Sequence, residues 1–211
     1  MKPRKKELEI ILSQLEKIKN PKPELEQWST PPEIAAEVLL FAYERGDVRG
    51  KICADFGCGN GIFSIGLAIL GARKVIAIDM DPDAIITAKQ NKSMLEDALG
   101  TLPIEFIEAD IRNIKIPCDT VVMNPPFGLE KQTRHADRYF LLKAFESATA
   151  VYSLHHSSEK SRKFLSRLAE ENNFTYEYIK TFSFPLRAKF WFHRREVKYI
   201  RVDFLAFHRK N

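Results

Sequence analysis

The stretch of this 211-residue chain best equipped for chemistry is Asp119-Thr-Val-Val-Met-Asn-Pro-Pro-Phe127. The β-branched run over residues 120–122 predicts a strand that stops at Asn124, because two consecutive prolines cannot donate to a ladder. The Asn124 side chain and the Pro125 carbonyl are then left at the carboxyl edge of a strand, which is where an open α/β sheet binds ligands. An amide oxygen beside a backbone carbonyl offers two acceptors that can converge on one NH2 group. The adjacent Phe127 ring can stack on the flat heterocycle bearing that group. The stretch is therefore read as a site for an exocyclic amine. The plainer alternative is a tight Pro125-Pro126 turn with Phe127 in the core.

Three further strand ends carry signals of their own. Residues 51–56 predict a strand running into Gly57-Cys58-Gly59-Asn60-Gly61, with a helix over 62–70 behind it. Glycines at such a turn let a ligand approach the backbone at a helix N-terminus. The dinucleotide fingerprint G-x-G-x-x-G requires a glycine where Ile62 stands, which argues against a nicotinamide oxidoreductase. A second strand, 74–78, ends at Asp79, about twenty residues past the loop, where an acid accepts hydrogen bonds from both hydroxyls of a ribose. Asp81 instead fits the cap of the following helix, 83–95. A third strand, 104–108, closes at Asp110-Ile111.

Asn124-Pro125-Pro126-Phe127 at a strand end resembles the signature of S-adenosylmethionine-dependent amino methyltransferases that modify adenine, guanine or glutamine amides. Asp55-x-Gly57-x-Gly59-x-Gly61 resembles motif I of class I methyltransferases. Longer segments, Leu25-Glu-Gln-Trp-Ser-Thr30, Val151-Tyr-Ser-Leu-His-His-Ser-Ser158 and Phe192-His193-Arg194-Arg195, look like the methyltransferase-like family whose eukaryotic member makes N6-methyladenosine in small-subunit ribosomal RNA. The likeness runs from about residue 25 onwards.

It implies an α/β fold: one Rossmann-like domain over 1–211, with a mostly parallel seven-stranded sheet, an antiparallel last strand and helices on both faces. Residues 1–50 would hold N-terminal helices and a cofactor-lid segment, 51–211 the core, and 185–198 a basic hairpin insertion. It implies S-adenosyl-L-methionine as cofactor, contacted by Gln27, Thr30, Gly57, Gly59, Asn60, Ile62, Asp79, Asp110 and Ile111, with Asp110 taking the adenine amine. Asn124, Pro125, Pro126 and Phe127 would form the catalytic edge, RNA of the ribosomal class the substrate, and a small zinc-binding activator protein a partner. Trp28-Ser29 and Asn60 depart from the eukaryotic pattern, which has Tyr-Pro and Cys, and so bear on the shape of the methionine pocket.

The elements that must position these groups are legible in outline. Leu8, Ile11, Leu12, Leu15 and Ile18 recur at helical spacing, predicting an amphipathic helix over 5–19 packed on the domain and ended by Asn20-Pro21. Thr30-Pro31-Pro32-Glu33 predicts a second helix start with Thr30 as cap, Pro31 at the first position and Glu33 completing a capping box. Residues 128–136 are polar and glycine-led, a mobile loop at the site mouth in which Lys131, Arg134 and His135 either meet the substrate backbone or simply solvate the loop. A helix over 137–149 leads to a strand over 150–154, and Ser158 caps a helix over 159–171. Adjacent residues on a strand face opposite ways, so His155 and His156 make no metal pair.

Tyr176, Tyr178, Phe182 and Phe184 predict one face of a strand over 175–184, and Ile200, Val202, Phe204 and Ala206 one face of another over 199–207. Between them, cations alternate with Phe190, Trp191 and Phe192. Arg187, Lys189, Trp191, His193, Arg194 and Arg195 suit a surface that pairs phosphates and stacks unpaired bases, against the alternative of inward-packed rings and a solvated hairpin.

With 45% hydrophobic and 29% charged residues, the chain fits one globular domain with a full core. No apolar stretch approaches the roughly 20 residues of a membrane span, and the Lys-rich start lacks an apolar h-region, so a cytoplasmic location is expected. Cys53, Cys58 and Cys118 show neither a C-x-x-C pair nor zinc-ligand spacing, which predicts no disulfide framework and no metal. The net charge of +5 is concentrated: residues 2–22 hold seven Lys and Arg against three Glu, and 185–198 hold five against one. That distribution suits a nucleic-acid footprint. The expected activity is methyl transfer to the N6 amine of an adenine, in ribosomal RNA. A guanine N2 or protein glutamine N5 substrate stays open beside it, as does a non-catalytic RNA-binding or ribosome-assembly factor.

Overall fold

The computed structural model describes residues 4–133, 135–186 and 198–210. Its strands are β1 (Ile52–Phe56), β2 (Lys74–Asp79), β3 (Ile104–Glu108), β4 (Thr120–Met123), β5 (Ala150–His156), β6 (Glu177–Leu186) and β7 (Lys198–His208). They form one sheet in the order β3-β2-β1-β4-β5-β7-β6. β1 to β5 pair in parallel, and β7 runs antiparallel between β5 and β6. The helices are α1 (Lys5–Ser13), α2 (Pro32–Glu44), α3 (Ile62–Ile69), α4 (Pro82–Leu99), α5 (Ala136–Ser147) and α6 (Glu159–Glu171). This is the mostly parallel, doubly covered sheet that the resemblance implied.

The sheet is covered because its central strands are apolar on both faces. Val121, Val122 and Met123 of β4 are fully buried, the continuous run expected of a parallel strand between two helix layers. Each such side chain contributes about 1.5–3 kcal/mol by burial. On one face α1, α2 and α3 bring Leu8, Leu12, Leu39 and Ile65 against Tyr152 and Phe204. On the other, α5 and α6 bring Leu141, Phe145 and Leu165 against Val151 and Phe207. From β1 the chain winds outwards to β2 and β3, then returns to place β4 on the opposite side of β1. The carboxyl ends of β1 and β4 therefore diverge, opening a crevice at the topological switch point.

Several local expectations are corrected. α1 ends at Ser13 instead of reaching residue 19, although Leu15 is still buried. The cause lies just beyond: the Glu16 N–H donates to Asn91 Oδ1 at 2.8 Å, and the Glu16 carbonyl accepts from the amides of Asn60 and Asn91, each at 2.9 Å. Side-chain amides have replaced the helical partners of that residue. α2 begins one residue later than predicted, with Pro31 as its cap residue, Pro32 at the first position and no side-chain cap, so neither Thr30 nor Glu33 forms a capping box. β6 carries a bulge: Tyr178 pairs with Leu205 but Lys180 with Phe204. Two residues there oppose one, which flips the faces. Tyr176 packs against one core layer, Phe182 and Phe184 join the other, and Tyr178 is exposed.

Other boundaries hold closely. α6 spans Glu159–Glu171, and the Ser158 hydroxyl accepts from the Ser161 N–H at 3.0 Å, the predicted cap. Among the described residues, no helix is long and apolar enough to cross a membrane. Arg187, Lys189, Trp191, His193, Arg194 and Arg195, proposed from the sequence to meet RNA, lie outside the described residues, as does Arg134.

Candidate active site

Four strand ends and the segment 24–30 line a single cavity of about 440 Å³. On its β1 wall, α3 starts at a glycine: Gly61 is the cap residue and has no side chain to offer. Asp55, one residue from the end of β1, supplies the missing acceptor. Its Oδ2 accepts from the Ser64 N–H at 2.9 Å and the Ser64 hydroxyl at 2.5 Å. Burial pushes the Asp55 carboxyl up to about 7, against the lowering effect of the Ser64 bonds. Gly57 and Gly59 adopt φ of 72° and 55°, left-handed values that a side chain would strain. The Gly57 and Cys58 N–H groups both donate to the Ile78 carbonyl, at 2.8 and 2.9 Å, which folds the loop onto β2.

Asp79 at the end of β2 organises that loop. Its Oδ2 accepts from the Gly59 N–H and its Oδ1 from the Asp81 N–H, each at 2.9 Å. A carboxylate offers about four lone-pair sites, so room remains for a diol. Burial raises the Asp79 pKa, and these two backbone donors offset part of the rise. Asp81 caps α4 by accepting from the Asp83 N–H at 3.2 Å, as its position after β2 predicted. It also accepts from Lys22 Nζ at 2.5 Å and from the Gln27 amide at 2.6 Å. At the end of β3, Asp110 accepts from the Arg112 N–H at 2.9 Å and is forked by the Arg112 guanidinium, which holds its carboxyl below the usual range. The same guanidinium lies over the Tyr139 ring, 5.6 Å from its centroid.

Of the residues assigned to the cofactor, Gly57 and Gly59 present backbone and Asp79 spare lone pairs, whereas both Asp110 oxygens are met by Arg112 and the Thr30 hydroxyl by the Asn124 amide. Ile62 and Ile111 line the cavity. Gln27 lines it too, but its amide is engaged at both ends, accepting from the Lys22 N–H at 2.7 Å and donating to Asp81. The Asn60 amide is likewise turned to Glu16. Both act as braces on the segment 16–27, a role that spacing alone did not predict.

On the β4 wall, Asn124 and Pro126 line the cavity. The Asn124 amide nitrogen donates to the Thr30 hydroxyl at 3.0 Å, and its oxygen is buried with no hydrogen-bond partner. Thr30 thus fixes which end of the amide stays available, and this is where its hydroxyl goes instead of to a helix cap. Phe127 differs from its expected placement: its ring is buried in the core, 5.6 Å from Phe184 in an edge-to-face contact, and does not line the cavity. The adjacent aromatic walls are Tyr139 and Phe140 of α5. The plainer reading of Phe127 as a core ring is thus the one its packing follows.

Sequence reading missed Glu26. It follows a single 3-10 turn (Pro23–Leu25) and adopts φ 51°, ψ 44°, a left-handed conformation costing a non-glycine residue roughly 1–2 kcal/mol. Its buried carboxylate accepts from the Phe127 N–H at 2.7 Å, the Glu130 N–H at 2.9 Å and, at short range, the Thr133 hydroxyl. Phe127, Glu130 and Thr133 are accordingly tethered and Thr133 is buried, where a mobile loop at the mouth was expected. Glu26 and Phe127 are 101 positions apart, and no spacing rule joins them.

A family model described as ribosomal protein L11 methyltransferase matches residues 35–125, from α2 to the β4 corner. The chain is 37% identical over 96% of its length to the zebrafish (Danio rerio) rRNA N(6)-adenosine-methyltransferase METTL5, covering 97% of that protein. It is 34% identical over 96% of its length to the Drosophila melanogaster counterpart, covering 95% of it. A crystal structure from Pyrococcus horikoshii, described as a proposed RNA methyltransferase, shares 39% identity with a TM-score of 0.88 and full coverage of both chains. Magnesium protoporphyrin IX methyltransferase from Synechocystis PCC 6803, solved with bound SAM, matches at 22% identity and a TM-score of 0.60, covering 83% of this chain and 78% of that one. At that identity it speaks for the fold alone.

Proposed function

The chain belongs to the METTL5 family of rRNA N(6)-adenosine methyltransferases, and from that premise we propose that it is an S-adenosylmethionine-dependent enzyme that methylates the N6 amine of an adenine in ribosomal RNA, with Asn124 and Pro125 gripping the amine. The observation that carries the reading is the Asn124 side chain: its nitrogen is committed to Thr30 while its oxygen is buried without a partner on the cavity wall. A buried acceptor left open costs about 1–3 kcal/mol unless a ligand satisfies it.

The residues fit the cofactor. The left-handed glycine turn leaves the loop backbone free of side chains, Asp79 keeps lone pairs for ribose hydroxyls, and Ile62 and Ile111 offer apolar surface to an adenine ring. Asp110 accepts from the ring's amine in this reading, beside the Arg112 fork. When bound, S-adenosylmethionine supplies an activated methyl group on a sulfonium centre.

What the chain itself contributes is grip and geometry. An adenine amine is a poor nucleophile because its lone pair is delocalised into the ring. Asn124 Oδ1 and the Pro125 carbonyl, accepting both N–H hydrogens, favour the pyramidal nitrogen and leave the lone pair free to form the new N–C bond. In this reading the two acceptors meet the positive charge developing on nitrogen, although Pro125 itself lies outside the cavity lining; no strong base is then required, and the proton departs to solvent after transfer. Reaching the cavity requires an unstacked base, which favours unpaired RNA.

Charge in the sequence supports an RNA footprint over 185–198, where Arg194 and Arg195 are the leading contacts. Neutralising both should weaken RNA binding and flatten its salt dependence. The family reading also makes a small zinc-binding activator protein the expected partner, tested by co-purification and metal content. The deciding experiment is incubation with labelled cofactor and total RNA lacking the modification, followed by nucleoside mass spectrometry. Labelled N6-methyladenosine is expected. Label in N2-methylguanosine overturns the substrate assignment, as does label only in glutamine when a protein extract replaces the RNA and amino acids are analysed, and S-adenosylmethionine binding without transfer to any of these favours the non-catalytic factor.

A further inference from the structure

We propose that Glu26 is a positioning residue through which the segment 22–30, folded along the cavity, sets the amine-gripping geometry of Asn124 and Pro125, so that cofactor binding and base binding are energetically coupled. The inference rests on the reading of the Asn124 edge as an amine site and goes beyond it.

The four-residue corner is held at both of its ends by one short stretch of chain. At its start, Asn124 donates to the Thr30 hydroxyl at 3.0 Å; at its close, the Phe127 N–H donates to Glu26 at 2.7 Å. Between those anchors Gln27 reaches the other way and donates to Asp81 at 2.6 Å, and the Asp81 N–H donates to Asp79 at 2.9 Å. An unbroken series of hydrogen bonds and short backbone therefore runs from the diol-binding carboxylate to the amine-binding amide.

Glu26 is the member of that series with a strained backbone and a buried carboxylate. Its left-handed backbone has no glycine to relieve it, and its carboxylate is met by two amides and a hydroxyl from residues 127–133. A buried carboxylate deprived of its donors is strongly disfavoured. If 127–133 moved away, Glu26 would have to leave its burial site, and the 22–30 segment with it. The two segments are thus stable together and poorly stable apart. A ligand that favours the ordered 22–30 segment through Asp79 favours the gripping geometry of Asn124, and reciprocity requires that a base held at Asn124 tighten the cofactor side by the same factor.

The test measures that factor. The dissociation constant of S-adenosylhomocysteine is measured on the full chain, with and without a saturating single-stranded oligoribonucleotide whose methylation by the unsubstituted chain has been verified by nucleoside mass spectrometry. The unsubstituted chain should show about tenfold tightening by RNA, within the usual range of coupling between sites. Glu26→Gly keeps the left-handed backbone conformation without strain while removing the carboxylate. It should bring the ratio close to unity and lower kcat about 10²-fold, as misplacement of a reacting group does. Its affinity for S-adenosylhomocysteine alone should stay within about twofold, the coupling being what Glu26 supplies.

Glu26→Gln, which retains one acceptor for Phe127, should recover part of both effects. A purely structural role would lower Tm and both affinities while leaving the ratio intact, and that result overturns the proposal. Should Glu26→Gly not fold, Thr133→Val removes a single donor and decides: a reduced ratio supports the coupling, an unchanged one removes it. If no RNA is methylated by the unsubstituted chain, the amine-site reading fails first and this inference falls with it.

Discussion

Two polar clusters occupy opposite edges of the same sheet, and they are finished differently. At the amino edge, half-buried Asp47 accepts from the Tyr152 hydroxyl at 2.5 Å and bonds His208 Nε2 at 3.0 Å, while its carbonyl accepts from Thr120 at 2.6 Å. Burial would raise the Asp47 pKa, but His208 and Tyr152 together hold it below the ordinary carboxylate value. At the carboxyl edge, Asn124 Oδ1, Asp55 Oδ1 and the Trp28 indole nitrogen are buried with no partner. Each unmet group costs about 1–3 kcal/mol. The closed cluster ties α2, β4, β5 and β7 together. The open one accepts a stability penalty, and for Asn124 and Trp28, which line the cavity, a ligand can offset it.

Asn124→Ala tests that contrast most severely. Turnover should fall about 10³-fold, the usual effect of removing one group that stabilises developing charge. S-adenosylmethionine affinity should change less than about threefold, since the amide's hydrogen bond goes to Thr30 and not to the glycine loop or Asp79. Equal turnover by the variant would break the contrast at its centre.

His155 complicates the picture, being buried with both ring nitrogens unpartnered yet absent from the cavity lining. Burial lowers its pKa to about 4, against an opposing pull from Asp203. Between the unfolded value of about 6.5 and the folded value, the unfolded chain binds more protons, so stability is full above that window and declines as pH falls through it. The loss should approach about 3 kcal/mol on the usual conversion of a pKa difference. Urea titrations from pH 7 to 4 should show the slope in the unsubstituted chain and a flatter profile in His155→Gln. An identical slope in the variant would place the acid sensitivity elsewhere.

Asp79→Asn sharpens the cofactor side. Replacing a charged acceptor by a neutral amide should cost about 2 kcal/mol, or about 30-fold in S-adenosylmethionine affinity by calorimetry. An effect on RNA affinity alone would contradict the division of the cavity. The smallest effect belongs to the closed edge: Tyr152→Phe removes one hydroxyl from Asp47 and should cost about 1 kcal/mol of unfolding free energy. Its kcat should match the unsubstituted chain; a loss of activity larger than the loss of folded protein would show that the two edges are not separable.

The parts that were readable before any coordinates share a property: their causes are local. Two prolines stop β4 at any depth in the molecule, Gly57 and Gly59 permit their turn through their own backbones, and Ser158 caps α6 through the third residue after it. Where a distant group competes, local reading fails. Thr30 has the sequence of a helix cap, but its hydroxyl accepts from the Asn124 amide, 94 residues away. α1 stops early because Asn60 and Asn91 capture the Glu16 backbone, and the Tyr176–Phe184 alternation breaks at a bulge set by pairing with β7.

By itself, then, the sequence determined the strand-end chemistry: an amide and a carbonyl at one edge, a glycine turn and two acids at others. Only the tertiary structure decided that β4 returns beside β1, so that these ends share a cavity. It also decided that the Asn124 amide is oriented by Thr30 and that Glu26 closes on the loop beyond Phe127. The reason is physical. Backbone conformation and capping depend on neighbours a few residues apart, whereas a buried hydrogen bond depends on which groups are left without water when the sheet closes, and that is a property of the whole chain.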